Sequence, residues 1–159
     1  MENSLVIRSP YNGQPLAGVN HSGLAGLQAF TEAFAEKHPE VKVTEPEPVS
    51  FFCKNLYARW LELPAGAFVI GRIIKEEHMF MLASGTATVI DAQGVHEHTA
   101  PWMMVAPAGA QRIIHTQSAV TICTFHPNVA EAPDMKAEMS CATAEEFNQH
   151  LKLLTVKKE

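Results

Sequence analysis

The chain has 159 residues, 47% of them hydrophobic, with a formal net charge of −5 and three cysteines. That length and apolar content suffice for one sizeable buried core, and an acidic balance without long runs of like charge excludes a surface built for nonspecific binding to nucleic acid or an anionic membrane. No apolar run approaches the ~18–20 residues needed to cross a bilayer, and the odd cysteine count, lack of CxxC spacing and absence of an apolar leader over Met1–Pro10 predict a soluble cytoplasmic protein.

In chain order, residues 1–50 read as an N-terminal arm. Pro10, Gly13, Pro15 and Gly18 punctuate its first part, which predicts extended backbone or loop. Leu24, Leu27, Phe30 and Phe34 then recur at helical spacing between a Ser22 cap and Pro39, predicting an amphipathic helix over about 22–38. Pro39, Pro46 and Pro48 remove backbone donors, so residues 39–50 read as an extended connector.

From Phe51 to Asn128 the pattern changes to short apolar or alternating segments separated by turns. Strands are predicted at 56–63, 67–74, 78–83, 86–91, 95–99, 102–106, 110–115 and 119–126, a spacing that suits a β-sandwich or barrel. Glycines 66, 85, 94 and 109 sit in the intervening bends, where positive φ is needed. Residues 129–159 form a tail in which Thr143 and Glu146 make a capping box, ahead of a short helix with a Phe147, Leu151, Leu154 stripe.

Two spaced motifs carry a resemblance. Gly66, Arg72, Ile74, His78 and Gly85 keep the register G-x5-H-x-H-x3-E-x6-G, and Pro107, Gly109, Arg112 and Thr116 keep that of G-x5-P-x-G-x2-H-x3-N, whose first glycine position is Pro101. With Leu56–Arg59, Leu63–Gly66, Gly71–Lys75 and Phe125–Asn128, residues 51–128 resemble small single-domain cupins of the bacteriophage and prophage type. The resemblance implies an all-β double-stranded β-helix, a jelly-roll barrel flanked here by the N-terminal and short C-terminal helices. It also implies a ligand pocket inside the barrel, a homodimer, and residence in a bacterial host cytoplasm.

The motif residues depart from a cupin metal site. Such a site needs three neutral imidazoles and a carboxylate, because a divalent metal takes converging lone-pair donors. Arg72, Ile74 and Arg112 stand where imidazoles belong and His78 stands where the carboxylate belongs. A guanidinium stays protonated and offers only donors, so no metal and no cofactor are expected.

Two-residue alternation turns Arg72 and Ile74 to the inner strand face, and Arg112 is expected to join them. Buried guanidinium groups require anions, since an unpaired one costs several kcal/mol. Arg72, His78 and Arg112, with His126 at the end of the last strand and Tyr57 as a pocket wall, are therefore the candidate ligand-binding residues. The competing reading pairs the arginines internally with Glu62, Glu76 or Glu77 and leaves the pocket filled.

His96-x-His98 shares a strand face but lies just beyond the Asp91–Gly94 turn, where polar alternation toward solvent is expected. Trp60 and Trp102 suit a pocket wall or, more ordinarily, the core, and methionines 79, 81, 103 and 104 suit core or dimer packing.

The function expected is a non-catalytic binding protein for a small carboxylate- or phosphate-bearing ligand. Two alternatives stand beside it. One is an enzyme, either a metal-dependent cupin oxygenase or isomerase, or a metal-free epimerase of the sugar-nucleotide type using His78 or His126 as base and Tyr57 as acid. The other is a dimerising scaffold for a protein partner.

Overall fold

A computed structural model describes residues 32–33, 36–37, 39, 42–44, 46–91, 94–128 and 139–156. The described residues are mostly β. In order they form β1 (Val49–Cys53), β2 (Asn55–Leu63), β3 (Phe68–Ile70), β4 (Ile73–Ile74), β5 (His78–Ser84), β6 (Thr86–Asp91), β7 (Gly94–Thr99), β8 (Trp102–Ala106), β9 (Ile113–Thr116), β10 (Val120–Asn128), β11 (Ser140–Cys141) and α1 (Ala144–Val156). The arm over residues 1–20 and, apart from four scattered positions, the helix expected over 22–38 lie outside the described residues.

Hydrogen bonding divides the strands among three antiparallel sheets. These are β1-β2-β10-β5-β8, β3-β9-β6-β7 and the two-residue pair β11-β4, and among the described residues they are not joined into one closed barrel. Register explains why the first two pack face to face. The pairs Leu63↔Val120, Leu61↔Ile122, Arg59↔Thr124 and Tyr57↔His126 put alternate residues of β2 and β10 on one face. Leu82 and Phe80 of β5 extend that face opposite Ile122 and Thr124.

Against it, β3 and β9 supply Val69 and Ile114, which are register partners. Leu63, Val69, Phe80, Leu82, Ala87, Ile114, Val120 and Ile122 form one buried cluster drawn from both sheets. Burying each large aliphatic side chain contributes about 1.5–3 kcal/mol over leaving it exposed. This shared core makes the two sheets a sandwich.

Three details differ from the sequence expectation. The expected strand 67–74 is interrupted at Gly71–Arg72 into β3 and β4, where the Gly71 amide donates to the Arg112 carbonyl at 2.8 Å. A Cβ on Gly71 would stand 2.8 Å from that same oxygen, so the close approach of the two chains needs glycine. Second, β1 occupies part of the expected connector and the start of the barrel, pairing with β2 through a turn in which Asn55 takes φ 65°. Third, β11 pairs with β4 through Ser140↔Ile74 and Cys141↔Ile73.

α1 begins as its capping box predicts. The Glu146 amide donates to Thr143 Oγ1 at 3.2 Å, and the Glu146 carboxylate accepts from the Ala142 amide at 2.8 Å. Phe147 docks the helix against Ile73 and Cys141, and lies where a Cβ on Gly109 would fall 2.7 Å from its ring. The predicted stripe ends there, because Leu151 and Leu154 are exposed. On the outer face of the five-stranded sheet Val49, Phe51, Leu56, Trp60, Met79, Met103 and Val105 are also exposed.

Candidate functional site

Between the sheets a cavity of about 510 Å³ remains, within the range of small-molecule sites. Its apolar walls are the inner ends of the core, Leu61, Val69, Phe80, Ile114 and Ile122. Its polar groups come from separate elements: Arg59 on β2, His78 on β5, Thr124 and His126 on β10, Arg112 just before β9, Arg72 between β3 and β4, and Ser140 on β11. Val43, Thr44, Pro46, Glu47 and Pro48 close another side, tied to β3 by the Thr44 amide donating to the Phe68 carbonyl at 2.6 Å.

Four of the five sequence-predicted residues, Arg72, His78, Arg112 and His126, line this one cavity, as does Ile74. The fifth, Tyr57, lies beside it. Its ring centroid is 5.8 Å from that of His126 and 4.9 Å from that of Phe52, and its hydroxyl is 3.1 Å from Ser50 Oγ.

Arg112 is 7% exposed. Its guanidinium lies 5.1 Å above the Phe80 ring centroid, and Nη2 donates to the Met104 sulfur at 3.6 Å, a weak acceptor. Its Nε is buried without a hydrogen-bond partner. Burial pulls its pKa below the ordinary value, opposed by Asp91, but a guanidinium remains charged. Arg72 is half-buried and donates through Nε to Ser140 Oγ at 2.8 Å.

The internal pairing considered from sequence is not formed among the described residues. Glu76 and Glu77 are exposed, and Glu62 accepts instead from Trp60 Nε1 at 3.2 Å. Three arginines therefore face a cavity whose only carboxylate lining group, among the described residues, is Glu47.

The histidines are stacked, with ring centroids 4.9 Å apart and planes 20° from parallel. His78 Nδ1 lies 3.1 Å from the Glu76 carbonyl oxygen; a carbonyl only accepts, so the proton resides on Nδ1 and the lone pair on Nε2. Burial first, and the Arg112 charge after it, hold His78 below the usual imidazole range against the raising effect of that carbonyl. His126 is 3% exposed, with Nε2 2.8 Å from Thr124 Oγ1 and Nδ1 buried without a partner. Burial, then His78 and Arg59, push it down to about 3. Both rings are neutral near pH 7.

A cupin-type metal does not fit this donor set. At the motif positions the cavity presents Arg72, Ile74, His78 and Arg112, one imidazole among two fixed cations. Among the described residues no group of three His, Cys, Asp or Glu side chains is placed to hold a metal ion. His96 and His98 lie elsewhere on β7, where His98 stacks on Trp102 with centroids 3.6 Å apart.

Sequence reasoning missed Arg59, Thr124 and Ser140. A signal for Arg59 exists, since Tyr57, Arg59 and Leu61 alternate on one strand and Tyr57 is expected to wall the pocket. Ser140 had no such signal, because a two-residue strand shows no periodicity.

No protein-family description and no curated protein sequence matches the chain. Solved structures do. A cupin superfamily protein from Desulfitobacterium hafniense aligns at 8% identity over 54% of this chain and 80% of its own, with a TM-score of 0.47. A Cupin 2 conserved barrel domain protein from Salinispora arenicola aligns at 10% identity over 62% and 89%, TM-score 0.47. The cupin domain of Schizosaccharomyces pombe Cnp3 aligns at 18% identity over 65% and 79%, TM-score 0.46. These neighbours are cupins. No helix among the described residues is long and apolar enough to cross a membrane.

Proposed function

We propose that this chain is a cupin-type, non-catalytic binding protein of the phage-encoded kind whose inter-sheet cavity takes a small ligand bearing a carboxylate or phosphate. The observation that carries the reading is Arg112, a buried cation lining the cavity whose Nε is unpartnered and which, among the described residues, feels Asp91 through its charge but has no carboxylate hydrogen-bonded to it. Leaving such a charge unpaired is costly, and an oxyanion supplies the acceptors it lacks. The exposed apolar face of the five-stranded sheet supports the accompanying reading of a homodimer.

The test is a thermal-shift series with sugar phosphates, nucleotides and aliphatic and aromatic carboxylates on the wild type and on Arg112→Met, which keeps the side-chain bulk without the charge. At least one oxyanion class is expected to raise the wild-type melting temperature through linkage. Arg112→Met should lose that response while melting higher than wild type in ligand-free buffer. A ligand response unchanged in Arg112→Met would sink the reading.

The stack of His78 on His126, with the Tyr57 ring tilted beside it, favours, as a second reading, a metal-free proton-transfer enzyme. It is weaker on chemistry. The Tyr57 hydroxyl is already engaged by Ser50, and His78 Nδ1 leans on a backbone carbonyl rather than the carboxylate that would strengthen it as a base.

A further inference from the structure

The cavity presents more than positive charge, and its polar groups differ in kind. Arg112 offers donors: Nε has no partner, and Nη2 has only a thioether sulfur at 3.6 Å. His78 offers an acceptor. With its proton committed to the Glu76 carbonyl, His78, which lines the cavity, carries a lone pair on Nε2.

The two groups are neighbours on the cavity wall. His78 and Phe80, two residues apart on β5, leave the same strand face ~7 Å apart, Arg112 reaches over the Phe80 ring from just before β9 in the opposing sheet, and its charge is felt at His78. A bare phosphate or carboxylate would satisfy Arg112 and leave His78 with nothing to accept. It would also leave the apolar wall of Leu61, Val69, Ile114 and Ile122 uncovered in a cavity of about 510 Å³. A matching ligand therefore needs an oxyanion, a hydrogen-bond donor beside it, and a hydrocarbon body.

Resting on the oxyanion reading above, we propose that the ligand is a 2-hydroxy carboxylate with an apolar side group. Its carboxylate meets Arg112, its hydroxyl donates to His78 Nε2, and its hydrocarbon part covers Leu61, Val69, Ile114 and Ile122. The neutral state of His78 at pH 7 suits this role, because a protonated ring would offer a second donor where an acceptor is required.

The test is isothermal titration of the full chain at pH 7.5 with two matched pairs, mandelate against phenylacetate and 2-hydroxy-4-methylpentanoate against 4-methylpentanoate, with benzyl phosphate as the other oxyanion. Each hydroxy acid is expected to bind at least tenfold more tightly than its deoxy partner. His78→Phe, which preserves a ring for the stack on His126, should equalise the pair, and Arg112→Met should abolish both. The wild-type comparison decides the matter even if His78→Phe fails to fold. Equal, Arg112-dependent binding of hydroxy and deoxy acids overturns this inference and leaves the oxyanion reading standing, as does binding of benzyl phosphate alone. No response to any of these acids, to benzyl phosphate or to the oxyanions of the thermal-shift series overturns both.

Discussion

Lowering the pH from 7.5 to 5 should weaken the fold through one identifiable ring. His126 is held neutral, its pKa lowered from 6.5 to about 3 by burial and by the nearby His78 and Arg59. In the unfolded chain the same ring takes up a proton as pH falls through 6.5, while in the folded chain it resists until about 3. The unfolded state thus binds more protons throughout that window, and stability falls as pH falls. At 1.36 kcal/mol per unit, the part of the window reached by pH 5 is worth about 2 kcal/mol for this residue.

Carboxylates add little there because most titrate near pH 4. Urea denaturation of wild type and His126→Phe at pH 7.5, 6.5, 5.75 and 5 isolates the term, since phenylalanine can keep a ring against His78 and beside Tyr57 but takes no proton. The wild type should lose about 2 kcal/mol more than the variant across the series. Parallel losses would show that His126 is free to protonate in the folded protein, and the reasoning about its burial would be wrong.

Two further outcomes follow from packing. Gly109→Ala combines φ 82° with a Cβ 2.7 Å from the Phe147 ring, whereas Gly66→Ala, at φ 76°, meets nothing within 4 Å; thermal unfolding should show the former costing about 2–3 kcal/mol and the latter about 1. With a thiol reagent such as Ellman's under native conditions, Cys53, which is exposed, should react at once. Cys123 and Cys141, buried and with raised thiol pKa values, should wait for denaturant.

Much of the sheet framework was legible because its strands are half-buried. In β5 and β10 inward and outward residues alternate, and alternation is what a sequence displays. β1 gave no such signal, since all five of its residues are exposed and no inner face marks it. Residues 39–50 read as a connector because of their prolines, and of the described ones Val43, Thr44, Pro46, Glu47 and Pro48 lack regular structure apart from the bridge Val43↔Phe68. That they wall a cavity depends on where β3 lies, which local composition does not encode.

The site was legible where a motif fixed the register and illegible where tertiary pairing supplied the residue. Arg72, His78 and Arg112 fell on motif positions. Arg59, Thr124 and Ser140 are ordinary residues for their segments, and only the pairings Arg59↔Thr124 and Ser140↔Ile74 bring them to the cavity.

The pairing of β11 with β4 bears on how this protein can be cut for experiments. The motif-bearing stretch 51–128 looks like a self-sufficient fragment, yet Ser140, which holds Arg72, lies 68 residues further along the chain. The wall made by Val43, Thr44, Pro46, Glu47 and Pro48 precedes the same stretch. A fragment trimmed to the motifs would keep Arg112 and both histidines but lose the anchor of Arg72 and one side of the enclosure. A negative binding result obtained with it would report on the trimming rather than on the protein.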